Sequence, residues 1–207
     1  GTVYLFTYGP LTPTTVPEVA GLEHSAAQRT LTDLGLSTTD QESYSEEVAA
    51  GTVISTLPPA GTTVWKSSSV TVVVSKGPER YAVPELAGSA LDAALTALKD
   101  NHLAAGSTAQ EYSESVTEGQ VISTDPAAGT PLPPGGQVNL VVSKGREPIE
   151  LGDWTGKPYS EAEHTLTGAG LKIAISARQN SDTVAKDAII SQDPARGPLY
   201  RGDTVKV

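Results

Sequence analysis

The feature that most constrains this chain is a phrase that it states three times. Gly61, Gly129 and Gly197 lie 68 residues apart and each closes the same words: VISTLPPAG (Val53 to Gly61), VISTDPAAG (Val121 to Gly129) and IISQDPARG (Ile189 to Gly197). A repeat this long is a small domain with its own core, not a short solenoid unit that needs neighbours to bury its apolar face. Function is therefore to be sought in the array and in the differences between copies.

The register extends beyond the phrase. Upstream stand VPEVAG (Val16 to Gly21), VPELAG (Val83 to Gly88) and LGDWTG (Leu151 to Gly156). The first two copies close in VVVSKG (Val72 to Gly77) and LVVSKG (Leu140 to Gly145), whereas copy three reaches Val207, level with Leu140. The opening TVYLFTYGP (Thr2 to Pro10) matches VTVVVSKGP (Val70 to Pro78), so residues 1–11 read as the last strand of a preceding repeat in a longer array, or as an unrelated strand. The units are then 12–80, 81–147 and 148–207, the third with a shortened closing strand.

Within a unit, an extended lead-in comes first, because proline biases its predecessor away from helix. Ser89 reads as a helix N-cap with Asp92 at the reciprocal position. Ala27 and Leu31, Ala94 and Leu98, and Ala162 and Leu166 fall one turn apart, which predicts an inward helix face. Leu36, Leu103 and Leu171 open a strand, and the V/I-I-S phrase is a second, ended by Pro58, Pro126 or Pro194. Gly61, Gly129 and Gly197 are expected to supply a backbone angle that other residues resist. In the last strand Val70, Val72 and Val74 alternate, as do Val138, Leu140 and Val142. The unit is one helix on one side of a small, mainly antiparallel sheet, an α+β fold. Short links, GPERYA and GREP, predict an elongated tandem array.

Composition excludes several functions. With no cysteine there is no disulfide, zinc-thiolate or thiol nucleophile. No run reaches the length of a membrane span and no signal peptide is expected within this stretch; an anchor of the parent would lie outside it. A net charge of −10 argues against nucleic acid. The charge is uneven: residues 148–207 carry 8 acids and 7 bases, half of all Lys and Arg, and are the least repulsive place for an anion.

The ordered set of V-P lead-in, helix, G-L, V-I-S-x-x-P-x-x-G and closing V-x-V-S-x-G resembles PASTA domains, the penicillin-binding-protein and serine/threonine-kinase associated repeats, over about residues 12–207. Copy three departs at Leu151-Gly152, Trp154 and Asp187. The resemblance implies the extracellular part of a bacterial transmembrane serine/threonine kinase, at the outer face of the cell membrane. It implies a non-catalytic sensor of peptidoglycan fragments or cell-wall precursor, with ligand-linked dimerisation of the parent. The alternatives are a structural spacer or wall-localisation module, and a C-terminal appendage of a penicillin-binding protein. No kinase motif, cofactor or metal set is present in the sequence.

Candidate contacts are the residues that differ between copies. Trp65, Pro133 and Tyr200 share one position, and Trp65 and Tyr200 stand beside Lys66 and Arg201. A ring next to a cation suits a sugar and a carboxylate; the alternative is that each ring covers the end of its own core. Arg80 and Arg146, in the links, either grip a ligand or pair with Glu79, Glu85 or Glu147. Arg178, Lys186, Arg196 and Arg201 form either an anion-binding surface or a solvated face. Trp154 reads as core or an interdomain plug. His24, His102 and His164 do not align and read as exposed helix residues. Ser55, Ser123 and Ser191 have no matching histidine, and Arg201-Gly202-Asp203 reads as an ordinary turn.

Overall fold

The computed structural model describes residues 12–207. The strand assigned to residues 1–11 lies outside the described residues. The chain divides into two compact bodies. One runs up to Ala82 and takes in Pro131–Gly136, and the other is Val83–Thr130 with Gln137–Val207.

In the first body, β1 (Pro13–Thr15) pairs antiparallel with β4 (Thr63–Trp65), Thr14 facing Val64. Between them come helix α1 (His24–Asp33), β2 (Ser37–Ser43) and β3 (Val53–Leu57). The last strand of the repeat, β5 (Ser69–Ser75), takes the centre of the sheet, parallel to β2 and antiparallel to β3. Ala27 and Leu31 on α1 are fully buried against Val16, Val19, Leu36, Val53, Val70 and Val72. Burying a side chain such as Leu31 contributes roughly 1.5–3 kcal/mol, so this aliphatic cluster supplies the cohesion of the unit. A two-stranded piece, β6 (Tyr81–Ala82) with β9 (Pro131–Leu132), completes the body.

The second body repeats the plan. Helix α2 (Leu91–Asp100), β7 (Ala104–Glu111), β8 (Val121–Asp125) and β10 (Gln137–Ser143) form a sheet in the order β7-β10-β8, again with one parallel and one antiparallel pairing. Ala94, Leu98, Val138 and Leu140 are buried, as the helical and alternating patterns require. Helix α3 (Tyr159–Gly168) covers β11 (Lys172–Ala174) and β12 (Thr204–Lys206), which run parallel. The fold is α+β.

Four local expectations are corrected. Ser89 does not cap α2: Ala90 holds the N-cap place without a side-chain bond. The backbone caps instead. Glu23, Ala90 and Pro158 bridge to Thr52, Gln120 and Ala188, and the first helical N–H donates to the carbonyl of Gly51, Gly119 or Asp187. All three residues that supply these accepting carbonyls have left-handed backbones, at φ 82°, 85° and 63°, so copy three places a non-glycine residue in a glycine conformation. Gly197 does not share the positive φ of Gly61 and Gly129; a Cβ there would meet Leu151 N at 3.0 Å, so close backbone approach selects it. The third V/I-I-S phrase is not a strand. It makes one bridge, Asp193 to Lys206, because the ladder partners that β3 finds at Val73 and Val74 correspond to positions after Val207.

His102 is not on a helix either; it follows α2 at φ 58°, the place that Gly35 and Gly170 occupy after α1 and α3.

Candidate functional site

The two link arginines meet carboxylates that the sequence reading did not assign to them. In the first body Arg80 forms a fork on Glu46, Nη1 to Oε1 at 2.7 Å and Nη2 to Oε2 at 3.0 Å, and Nη1 also donates to the Glu79 carbonyl. The Arg80 hydrogen bond holds the Glu46 carboxyl below its ordinary range, and Glu46 in turn raises Arg80. Glu79 accepts from the Tyr81 hydroxyl at 2.6 Å, which pushes that phenol up to about 12.

In the second body Arg146 donates from Nε to Glu114 at 3.0 Å. Glu46 and Glu114 are the same position of successive repeats, yet Arg80 stands three residues after Gly77 and Arg146 only one after Gly145. Two arginines that do not align thus converge on one aligned acid. Arg146 reaches further: Nη2 donates to the Arg201 carbonyl at 2.6 Å and the guanidinium lies 5.3 Å from the Tyr200 ring centre. The structure brings Arg146, Tyr200 and Arg201 together.

Trp65 stands apart. It ends β4 with 52% of its surface exposed, while its neighbour Val64 packs on the core. Strand alternation turns one inward and the next outward. The Lys66 stem lies 3.6 Å from the space above Gly35, and the Arg201 stem similarly covers Gly170. Trp154 is half-buried against the third core; its indole N–H donates to the Leu151 carbonyl at 3.0 Å. Gln192, which replaces the Thr56 and Thr124 of the other copies, receives the Trp154 N–H and donates to the Gly152 carbonyl, tying down the altered lead-in.

Arg178, Lys186 and Arg196 are exposed and make no hydrogen bond, ion pair or ring contact among the described residues. Arg178 and Lys186 line an open cleft with Ile175, Ile189, Ile190 and Val207. In the first two repeats the corresponding space holds Val74 and Ser75, or Val142 and Ser143, so the hollow follows from the short β12 and is not by itself a ligand cavity. Arg196 borders a second shallow cleft with Glu150, Asp153, Thr155 and Gln192.

Two repeated contacts escaped the sequence reading. Lys76 lies 4.3 Å from the Tyr44 ring centre and Lys144 lies 4.1 Å from Tyr112. Ser75 and Ser143, buried, hold the loops before them. Their signal was present in the spellings Tyr-Ser-Glu and Ser-Lys-Gly, repeated in the first two copies, but nothing local says that the two touch. His24 pairs with Asp40 at 2.9 Å, and the Asp203 carboxylate accepts from the Tyr200 N–H, which makes Arg201-Gly202-Asp203 part of a closed turn. Among the described residues no cluster of three metal-ligating side chains occurs, and no helix is long and apolar enough to cross a membrane.

The family model for the PASTA domain matches residues 14–76, 81–144 and 149–207. A probable serine/threonine-protein kinase PknB of Corynebacterium glutamicum is 31% identical over 93% of this chain and 30% of that protein. The serine/threonine-protein kinase PrkC of Bacillus subtilis is 35% identical over 70% of this chain and 22% of that protein. The chain thus spans less than a third of these curated relatives, and the matched stretch is their PASTA region, outside the catalytic domain. The crystal structure of the three-PASTA-domain of a Ser/Thr kinase from Staphylococcus aureus superposes with a TM-score of 0.68 at 26% identity, covering 93% of this chain and 96% of that one. The entire extra-cellular region of the Ser/Thr kinase PrkC from the same species gives 0.65 at 26% identity, covering 92% and 68%.

Proposed function

The chain belongs to the PASTA-domain family, and on that premise we propose that it is the extracellular binding region of a bacterial receptor-type serine/threonine kinase, recognising peptidoglycan fragments or their precursor. The observation that carries this reading is the match along almost the full length of a three-PASTA kinase region. The units of recognition are residues 12–80, 81–147 and 148–207. Ligand carboxylates are drawn to the third, where Arg178, Lys186 and Arg196 are uncommitted. Elsewhere, in residues 1–147, 16 acids against 7 bases repel them. Occupancy changes the association of the parent chains and so the activity of a catalytic domain across the membrane.

The commitment of Arg80 and Arg146 to Glu46 and Glu114 favours a second reading, in which the array is a spacer that holds its parent near the wall by weak multivalent contact. An NMR titration with defined muropeptides separates the two. Saturable shifts confined to residues 148–207, lost in Arg178→Ala and Arg196→Ala, are the outcome of the sensor reading. No shifts at millimolar ligand leave the spacer.

A further inference from the structure

We propose that Arg146 is a staple that locks the second and third repeats into one rigid module. It belongs to the link between them, and its guanidinium uses different edges on each side. Nε donates to the Glu114 carboxylate of repeat two at 3.0 Å. Nη2 donates to the Arg201 carbonyl of repeat three at 2.6 Å, and the guanidinium carbon lies over the Tyr200 ring of the same repeat at 5.3 Å.

Each contact alone is weak at a surface, because ordering a long side chain and screening by salt offset it. Their combination is different. One planar, rigid fork makes all three, so the entropy of ordering the side chain is lost once and shared. The acceptors are also well held. The Arg201 carbonyl sits in a turn closed by the Gly202 N–H to the Gly170 carbonyl at 2.9 Å and by Tyr200 to Asp203 at 2.8 Å. Glu114 follows Ser113, whose hydroxyl accepts from the Val116 N–H at 2.9 Å. A bridge between two fixed anchors transmits orientation, whereas one between mobile anchors does not.

The contrast with Arg80 isolates the effect. Arg80 spends both Nη atoms on Glu46 and its neighbour's carbonyl, all within the first body. The two arginines share the acid and differ in the second half of the bridge.

The chain has no cysteine, so two introduced thiols take spin labels without background. Labels at Ala93→Cys on α2 and Glu163→Cys on α3, both exposed, report the distance between repeats two and three by pulsed electron paramagnetic resonance. The staple gives a narrow distance distribution that widens roughly twofold or more in Arg146→Ala, since small domains without a fixing contact move relative to each other. Glu114→Gln, which keeps the Arg201 and Tyr200 contacts, widens it less, and Arg80→Ala leaves it unchanged. Circular dichroism of each variant confirms that the repeats stay folded. A distribution in Arg146→Ala as narrow as in the parent chain overturns the proposal, as does equal widening in Arg80→Ala.

Discussion

Ser75 donates its hydroxyl to the carbonyl of Val48 at 2.7 Å and accepts the N–H of Gly77 at 2.9 Å, and Ser143 does the same with Val116 and Gly145. The serine of the closing V-x-V-S-x-G is thus a buried latch that joins the end of the last strand to the loop before the second strand of the phrase. Replacing Ser143 by Ala leaves the Val116 carbonyl and the Gly145 N–H without their partner, and is expected to cost about 1–3 kcal/mol. Urea denaturation measures the loss, and amide exchange places it in residues 113–119 first.

Asp187 holds φ 63° where Gly51 and Gly119 hold 82° and 85°. A Cβ is disfavoured in that region, and no neighbour opposes one sterically at Gly51 or Gly119. Asp187→Gly is therefore expected to stabilise the third repeat by about 0.5–1 kcal/mol, and Gly119→Ala to destabilise the second by a similar amount. Thermal unfolding of the two variants gives the sign directly.

The two tryptophans should behave differently. Trp65 is half in solvent on the outer side of β4, so Trp65→Ala is expected to change stability by no more than about 0.5 kcal/mol. Trp154 packs on the third core and donates to Leu151, so Trp154→Ala is expected to cost about 2–4 kcal/mol. If Trp65→Ala proves equally costly, its ring covers the core after all.

Arg80 keeps the Glu46 carboxyl below its usual range. A depressed folded value means that this pair contributes stability above the ordinary glutamate range and loses it as pH falls through the lowered value. Tyr81 works in the opposite direction: its phenol is raised to about 12 by Glu79, so the contribution is complete below the ordinary tyrosine value and disappears as pH climbs towards 12. Carbon-detected titration should find Glu46 among the last carboxylates to protonate and return it to the ordinary range in Arg80→Ala. Glu79→Gln should bring Tyr81 down towards the ordinary tyrosine value in an ultraviolet titration.

The parts legible in the sequence are those set by short-range periodicity. Ala94 and Leu98 lie one helical turn apart, and Val138 and Leu140 alternate, so both face inward as expected. What was not legible depends on distant partners. Arg80 meets Glu46 from 34 residues away, and no spacing rule distinguishes that acid from Glu79 or Glu85. Ser89 looked like a cap because a side-chain cap is a local device, whereas the actual partner of the helix start is the Gly119 carbonyl, supplied by another loop. Gln192 for Thr and Gly152 for Pro appear as unrelated substitutions in the sequence, yet they touch.

The order of strands in the sheet, β2-β5-β3, puts the last strand of the first repeat between two earlier ones, β2 and β3. Neither outer strand can pair with the other, so a nascent repeat carries two unmatched edges until its final residues arrive. The three-stranded sheet of each of the first two repeats is therefore assembled at the end of that repeat's own synthesis, and a chain delivered from its N-terminus seals the first before the second has its central strand.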